Sequence, residues 1–293
     1  MIPDAIMHEL HDIEITASRK MRNPRVGPYT SPLRGLGFDF EEHQPYRPGD
    51  DVRRIDWNVT ARLDAPYVRH THAERDLTMM IAMDVSRSMA LGSTHHSKRE
   101  ALMFITGSLL FSALSTQINT GFLAFSERVV VDSPPRRSRA AAWAVLQQCW
   151  AASTGSGRTA LGPMVDHLLA TLRRQSIVVL VSDFLTDEAL FDGRALAMLA
   201  ARYEVIAVIP EDPFERELPA GPGVLQVRDL ESGRHGVIGL GKRARERYAA
   251  DATARREALV QAFYQVPMEH VFVPTDRRAV EPLLAFFARR IRS

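Results

Sequence analysis

The chain has 293 residues, of which 45% are hydrophobic and 25% are charged, an ordinary composition for a soluble globular protein. A formal net charge of +2 does not indicate a nucleic-acid or membrane partner, and the single cysteine, Cys149, excludes an intramolecular disulfide. Residues 1–20 lack the apolar centre of a signal peptide, and no stretch approaches the roughly 18 uninterrupted apolar residues of a membrane span. We therefore expect a cytoplasmic protein without membrane insertion.

The N-terminal quarter of the chain begins with a predicted helix, and the segment after it contains short strand candidates and turn residues. Residues 4–22 carry apolar side chains at helical spacing, which predicts a short amphipathic helix. Residues 36–72 contain short strand candidates around a Pro-Gly-Asp turn. We predict a small β-rich module there, anchored by Val52, Ile55 and Trp57.

The charged residues of this module are interpreted as arginine–carboxylate pairs that fix the register of its strands. Bidentate pairing between arginine and a carboxylate is geometrically specific. The alternative is a catalytic carboxylate pair, but no pattern of nucleophile and base accompanies these side chains. The residues concerned are Arg47, Arg53, Arg54, Arg62, Asp50, Asp51, Asp56 and Asp64.

The run Thr78–Met83 has no charged residue and predicts a buried strand. It is followed by oxygen-bearing side chains at alternate positions, Asp84, Ser86 and Ser88. Residues two apart in an extended backbone point the same way, so these oxygens can converge beyond the end of the strand, where open α/β sheets bind ligands. A carboxylate with two hydroxyls suits a small hard cation such as Mg²⁺. Alternatively, Asp84 or Ser86 caps the following helix.

Two later stretches favour the metal site over the capping alternative. Residues 154–163 form a glycine-rich segment that leads through Thr159 to a predicted helix. Residues 176–183 predict a second buried strand, which ends in Asp183. Oxygen ligands of this kind accept Mn²⁺ as well as Mg²⁺, so the sequence leaves both ions open.

The order strand–Asp84-x-Ser86-x-Ser88, loop–Thr159, strand–Asp183 resembles the metal-ion-dependent adhesion site of von Willebrand factor type A domains. The resemblance implies that the two serines and the threonine contact Mg²⁺ directly or through water. It also implies that the two aspartates complete the shell, often through water. If Asp84 is the only carboxylate in direct contact, the ion would keep enough positive charge to accept a carboxylate from a protein partner.

Three further motifs lie between residues 35 and 62: Gly35-x-Gly37-x-Asp39-Phe40, Tyr46-Arg47-Pro48-Gly49-Asp50-Asp51-x-Arg53-x-Ile55-Asp56-Trp57, and Ala61-Arg62. Together they resemble the signature of the bacterial family of unknown function numbered fifty-eight. Members carry a von Willebrand A-like domain after the signature, and many are encoded beside AAA+ ATPases of the MoxR type. The resemblance implies that a MoxR-type ATPase or its client is the partner. It assigns a structural or interaction role to Arg47, Gly49, Asp50, Asp51, Arg53, Asp56, Trp57 and Arg62.

The rest of the chain alternates between helices and strands, which is typical of a doubly wound, mostly parallel α/β sheet flanked by helices. A helix over residues 97–116 begins with a capping box formed by Ser97 and Glu100. Further helices are predicted over residues 139–150, 161–173, 187–202, 242–265 and 278–291. We expect two parts, namely an N-terminal helix, loop and small β-rich module over residues 1–74, and the von Willebrand A-like α/β domain over residues 75–293.

Three functions are compatible with these features. We favour a metal-dependent protein-interaction module, because no general base accompanies the predicted metal site. The alternative is a metal-dependent hydrolase such as a phosphatase, although a haloacid-dehalogenase-like enzyme would carry a second aspartate where Ser86 stands. Nucleic-acid binding through the arginines of the N-terminal module is disfavoured by the near-neutral net charge. We therefore expect no catalytic residue and no nucleic-acid partner.

Overall fold

The computed structural model describes residues 1–22, 42–46, 52, 55, 57–63, 65–70, 77–93, 96–153, 155, 157–173, 176–185, 194–228, 235–266, 268–276, 281–283 and 285–286. The helices formed by these residues are α1 (Asp4–Arg22), α2 (Trp57–Leu63), α3 (Lys98–Ser115), α4 (Arg139–Ala152), α5 (Leu161–Thr171), α6 (Arg194–Arg202) and α7 (Lys242–Gln265). The strands are β1 (Glu42–Pro45), β2 (Tyr67–His70), β3 (Thr78–Asp84), β4 (Asn119–Phe125), β5 (Val129–Arg136), β6 (Ser176–Val181), β7 (Glu204–Glu211), β8 (Val224–Arg228), β9 (His235–Gly239) and β10 (Met268–Pro274).

Within the described residues, a six-stranded sheet has the order β10-β7-β6-β3-β4-β5. All neighbouring strands pair in parallel except β4 and β5, which are antiparallel. From β3 the chain passes to β4 on one side and later to β6 on the other, so β3 marks the point where the strand order reverses. The predicted doubly wound, mostly parallel α/β fold is confirmed. Such a switch point leaves a crevice beyond the carboxyl ends of the strands.

The central strand β3 separates two apolar layers. Met79, Ile81 and Met83 lie in the layer that α1, α3 and α4 cover. Met80 and Ala82 lie in the opposite layer, with residues of α5, α6 and α7. This alternation follows from the two-residue period of a strand. Because helices cover both faces, the strand is apolar throughout its buried length rather than on one side only.

The N-terminal helix α1 packs against α3 and shares the apolar layer of the sheet. Ile6 and Leu10 are buried at helical spacing. A Cβ placed on Gly107 of α3 would lie 2.6 Å from Leu10 Cδ2, so the glycine allows the two helices to approach. The division at residue 74 stays a prediction, and the helix that we assigned to the N-terminal part lies in the core of the α/β domain.

Five of the six helices predicted downstream are found: α7 has the predicted ends, and α3, α4, α5 and α6 differ at one or both ends. The helix predicted over residues 278–291 lies mostly outside the described part of the chain. Helix α3 begins with the predicted capping box, in which Ser97 and Glu100 exchange backbone and side-chain hydrogen bonds. The helix predicted from residue 187 is described only from Arg194, because residues 186–193 lie outside the described part. No helix in the described part of the chain is long and apolar enough to cross a membrane.

The N-terminal module contains a two-stranded antiparallel ribbon and a helix. Strand β1 pairs with β2, but Trp57, which we predicted as an anchor of a β-rich module, begins the helix α2. Trp57 is 68% exposed and Val52 is 58% exposed, so two of the three predicted anchors are wrong, whereas Ile55 is partly buried. Trp57 does not anchor a strand, because the backbone is helical from Trp57 to Leu63.

The family signature is described in part. Trp57 and Arg62 lie exposed on α2. The predictions for the other residues fall outside the described part of the chain, and so do the proposed arginine–carboxylate pairs that depend on them: Arg47, Gly49, Asp50, Asp51, Arg53, Arg54, Asp56 and Asp64.

Replacing Leu10 with alanine is expected to lower the free energy of unfolding by about 2–5 kcal/mol, because it opens a cavity between α1 and α3. Gly107→Ala alone is also expected to destabilise, since its methyl group meets Leu10. In the Leu10→Ala background the same methyl group fills part of the cavity. Urea unfolding of both single variants and the double variant measures this coupling.

Asp12→Ala is a matched control on the exposed side of α1 and should change the free energy of unfolding by less than about 0.5 kcal/mol. Strictly additive effects of Leu10→Ala and Gly107→Ala would show that α1 does not pack at Gly107.

Candidate metal centre

The candidate site forms where the chain leaves β3. Val85 extends the pairing of β3 with β4 by donating its N–H across to β4 at 2.8 Å. The backbone then turns into a 3-10 segment at Arg87–Ala90. Asp84, Ser86 and Ser88 are all buried, so the alternate polar residues of this stretch point into the protein and not into solvent.

The loop before α5 brings Thr159 to the same edge of the sheet. Gly155 and Gly157 have φ values of +69° and +77°, in the left-handed region that glycine adopts without strain. A Cβ on Gly155 would lie 2.6 Å from Ala90 Cβ. The carbonyl oxygen of Gly157 accepts a hydrogen bond from the Arg87 N–H at 3.2 Å. The glycines thus permit the close approach that joins this loop to the 3-10 segment.

Four predicted residues bring their side-chain oxygens within hydrogen-bonding distance of one another. Thr159 Oγ1 donates to Asp84 Oδ2 at 2.9 Å and lies 2.9 Å from Ser86 Oγ. Ser86 Oγ lies 3.1 Å from Ser88 Oγ, and the Ser86 N–H donates to Asp84 Oδ1 at 2.8 Å. We call these four residues the oxygen cluster.

Ser182 contacts the oxygen cluster and was not among the predicted site residues. Its hydroxyl donates to Asp84 Oδ2 at 2.7 Å and accepts from the Phe184 N–H at 3.0 Å. Strands β3 and β6 pair Met83 with Val181, so Asp84 and Ser182 follow as the next positions along two parallel strands. The alignment of the two strand ends was the sequence signal that could have identified Ser182.

Asp183, the fifth predicted residue, is held by different donors. Its Oδ1 accepts from the Leu185 N–H at 3.1 Å, and its Oδ2 accepts from Lys98 Nζ at 2.7 Å. Phe184 has a φ of +55°, a left-handed conformation that is uncommon for a residue with a side chain. The structure therefore brings Asp183 to the edge that carries the oxygen cluster and fixes its carboxylate through Lys98 and Leu185.

Lys98 has no exposed side-chain surface and pairs with Glu215 as well as Asp183. Burial alone lowers the pKa of Lys98, but the charges of Asp183 and Glu215 outweigh it and raise that pKa to about 12. Burial raises the pKa of Glu215 to about 7, even though Lys98 acts in the opposite direction. Lys98 is therefore a permanent cation beside the site.

A turn after β7 completes the surroundings of Lys98. Glu215 belongs to a capping box with Asp212, in which the Asp212 N–H donates to Glu215 at 2.9 Å. The fully buried Asp212 carboxylate accepts from the Ser93 N–H at 2.9 Å. These bonds join the turn after β7 to the loop before α3.

The electrostatics of the site favour a cation. Burial and, next, the charge of Asp183 raise the pKa of Asp84 to about 6, against the hydrogen bonds from Ser86 and Ser182 that lower it. When ionised, Asp84, Asp183 and Glu215 carry three negative charges against the single positive charge of Lys98. A divalent cation would balance this excess.

The donor set of the oxygen cluster fits Mg²⁺, which prefers oxygen ligands and retains several waters. Each hydroxyl can turn its proton away and present a lone pair to a cation. Across the described residues, no group of three or more His, Cys, Asp and Glu side chains is placed to hold a metal ion. At the oxygen cluster a cation would be held by serine and threonine hydroxyls together with Asp84. That role of the five predicted residues stays a prediction.

Fold and site together define a doubly wound α/β protein with a buried oxygen cluster at the switch point of its sheet. The chain belongs to the family described as protein of unknown function DUF58, whose family model matches residues 42–258. Similar proteins include uncharacterized protein Mb1516 of Mycobacterium bovis and uncharacterized protein Rv1480 of Mycobacterium tuberculosis. Each is 30% identical over 286 residues, which cover 97% of this chain and 89% of the relative.

Similar solved structures include the conserved hypothetical protein BatB from Bacteroides thetaiotaomicron, with a TM-score of 0.45, 16% identity, and coverage of 74% of this chain and 100% of that one. A von Willebrand factor type A protein from Catenulispora acidiphila has a TM-score of 0.43 and 13% identity over 77% of this chain and 44% of that one. For the SpRpn10 VWA domain the TM-score is 0.40, with 15% identity over 73% of this chain and 94% of that one. At these identities the likeness is one of fold alone.

In the presence of a chelator, Asp84→Asn is expected to raise the free energy of unfolding at pH 7.5. The pKa of Asp84 is raised to about 6 in the folded protein. Between about pH 4 and pH 6 the folded wild type therefore holds a proton that the unfolded chain has lost. The stability of the wild type therefore falls as pH rises from about 4 to about 6. Asparagine carries no charge, and its advantage at pH 7.5 should be about 1–3 kcal/mol.

Urea unfolding with chelator at pH 4.5 and pH 7.5 measures this difference. If Asp84→Asn is less stable than the wild type by the same amount at both pH values, the hydrogen bonds lost in the variant outweigh the benefit of removing the buried charge. Asp132→Asn on β5 is a matched control, because that carboxylate is partly exposed.

Proposed function

We propose that this protein is a metal-dependent protein-interaction module. The observation that supports the proposal is the convergence of Asp84, Ser86, Ser88 and Thr159 at the switch point of the sheet. These residues come from two separate parts of the chain and are buried. Their oxygens are hydrogen-bonded to one another, and a cation at the same place would use these oxygens as ligands.

Mg²⁺ held by the oxygen cluster would supply a Lewis-acidic position for an oxygen ligand from outside the chain. Asp84 would contribute the charge, and the hydroxyls of Ser86, Ser88 and Thr159 would contribute neutral ligands. Neutral ligands leave the charge of the ion largely uncancelled, so a carboxylate of a protein partner is the ligand class that this site would favour. Mn²⁺ has the same preference for oxygen and could replace Mg²⁺.

The proposed partner is a MoxR-type AAA+ ATPase or a client of such an ATPase. The support is the resemblance of the N-terminal signature to a family whose members are often encoded beside these ATPases. Trp57 and Arg62 of that signature lie exposed on α2, where they are accessible to a partner. The protein would then act as an adaptor and not as an enzyme.

Calorimetric titration of Mg²⁺ is expected to show binding to the wild type and none to Asp84→Asn, because the variant lacks the charged ligand. Asp132→Asn removes a partly exposed carboxylate that pairs with His167 on the edge of the sheet and should bind Mg²⁺ like the wild type. Circular dichroism confirms that each variant is folded. Equal binding by the wild type and Asp84→Asn would place the metal elsewhere and contradict the proposed site.

Binding to a purified MoxR-type ATPase from the same organism is expected in Mg²⁺ and should be lost in chelator. Asp84→Asn should fail to bind under either condition, whereas Asp132→Asn should bind like the wild type. Surface plasmon resonance with the ATPase immobilised measures all three proteins. Binding that persists in chelator and in Asp84→Asn would show that the contact lies on another surface.

The alternative function is a metal-dependent hydrolase. Release of phosphate from a generic phosphate ester by the wild type, with no release by Asp84→Asn, would favour this alternative.

A further inference from the structure

Lys98 places a charged group where the fold gives it no contact with solvent. Its side chain has 0% exposure, and the Asp183 side chain with which it pairs has 3%. Lysine is almost never fully buried unless it is paired. A buried ion pair adds little net stability by itself, because removing two charges from water offsets much of their attraction. The pair is therefore better explained by its effect on Asp183 than by a contribution to folding.

The two aspartates of the site differ in the donors that hold them. Asp84 Oδ2 accepts from two neighbouring hydroxyls, and a hydroxyl can rotate its proton away and offer a lone pair instead. Oδ2 of Asp183 accepts instead from the Lys98 ammonium, a donor without an acceptor lone pair. Each carboxylate also accepts one backbone N–H at its Oδ1, from Ser86 in Asp84 and from Leu185 in Asp183, so the difference between them lies at Oδ2. A cation can therefore be accommodated beside Asp84 by rotation of protons. Direct ligation by Asp183 would instead bring the cation close to the ammonium of Lys98, and the two positive charges would repel each other.

We propose that Lys98 is a positioning residue that keeps Asp183 out of direct contact with the metal ion, so that Asp84 is the carboxylate that binds it. This inference rests on the metal-dependent function proposed above. A second directly bound carboxylate would cancel the positive charge that remains on the ion. By occupying Asp183, Lys98 preserves the attraction of the ion for the carboxylate of a protein partner.

Mg²⁺ titration into the wild type, Lys98→Met and Lys98→Met/Asp183→Asn tests this role. Methionine keeps the unbranched shape of lysine without its charge. Lys98→Met is expected to bind Mg²⁺ at least about tenfold more tightly, because the ammonium no longer opposes the ion and the carboxylate of Asp183 is released toward it. The double variant replaces an ion pair with a neutral pair and should return to the affinity of the wild type.

A count of bound water molecules shows whether Asp183 enters the shell of the ion. With Mn²⁺ as the probe, electron paramagnetic resonance in ¹⁷O-labelled water should detect one water ligand fewer in Lys98→Met than in the wild type. Glu215→Gln is the matched electrostatic control, since it removes a charge that pairs with Lys98 and keeps the ion pair between Lys98 and Asp183. This control should keep the water count of the wild type.

The proposal is overturned if the double variant binds Mg²⁺ as weakly as Asp84→Asn, since Asp183 would then be a direct ligand. It is also overturned if Lys98→Met binds Mg²⁺ with the affinity and water count of the wild type. If Lys98→Met does not fold, the affinity of the double variant for Mg²⁺ decides: an affinity like that of the wild type supports the proposal, and an affinity as weak as that of Asp84→Asn overturns it. A wild type that binds no Mg²⁺ contradicts the proposed function, yet binding gained in Lys98→Met would still support the role of Lys98. Binding by none of the proteins overturns both.

Discussion

The carboxylate of Asp84 lies at the end of the central strand with no exposed surface, and its ionised form has to be stabilised by its surroundings. The donors come from different parts of the chain: the turn after β3 supplies the Ser86 N–H, the loop before α5 supplies Thr159, and the end of β6 supplies Ser182. These parts meet only if β6 lies directly beside β3 and the glycine loop closes over the strand ends. The burial of one carboxylate thus constrains both the strand order and the loop that follows α4.

A second series of contacts extends from the same edge toward β7. Lys98 pairs with Asp183 after β6 and with Glu215 after β7, and Asp212 joins the turn after β7 to Ser93. Strands β3, β6 and β7 are neighbours and run parallel, so their carboxyl ends lie at one edge. Lys98 is the first residue of α3 and lies between these ends. The start of α3 is therefore held by the same charges that surround the oxygen cluster.

Apolar runs in the sequence predicted the two central strands, because β3 and β6 are almost uninterrupted apolar segments that end abruptly in polar residues. The predicted site residues lie at one edge because they follow the carboxyl ends of these neighbouring parallel strands or the loop beside them. Lys98 could not be predicted, since a lysine that follows a serine cap is normally solvated and becomes buried only when Asp183 and Glu215 approach from distant positions. Trp57 failed in the opposite way: a large aromatic residue suggested an anchor, but it begins a short helix and lies exposed. The burial of Lys98 depends on tertiary contacts that local pattern does not encode, whereas the exposure of Trp57 follows from the start of a short helix that was not predicted.

The composition of the oxygen cluster links metal binding to partner binding. One carboxylate and several hydroxyls offer little charge to a divalent ion, so such a site would hold the ion less firmly than one built from several carboxylates. An external carboxylate would supply the missing charge. Under the proposed function, each ligand would then increase the affinity for the other by the same factor, as thermodynamic linkage requires. The ion pair of Lys98 with Asp183 would strengthen this coupling, because it withholds the nearest internal carboxylate that could take the place of the partner.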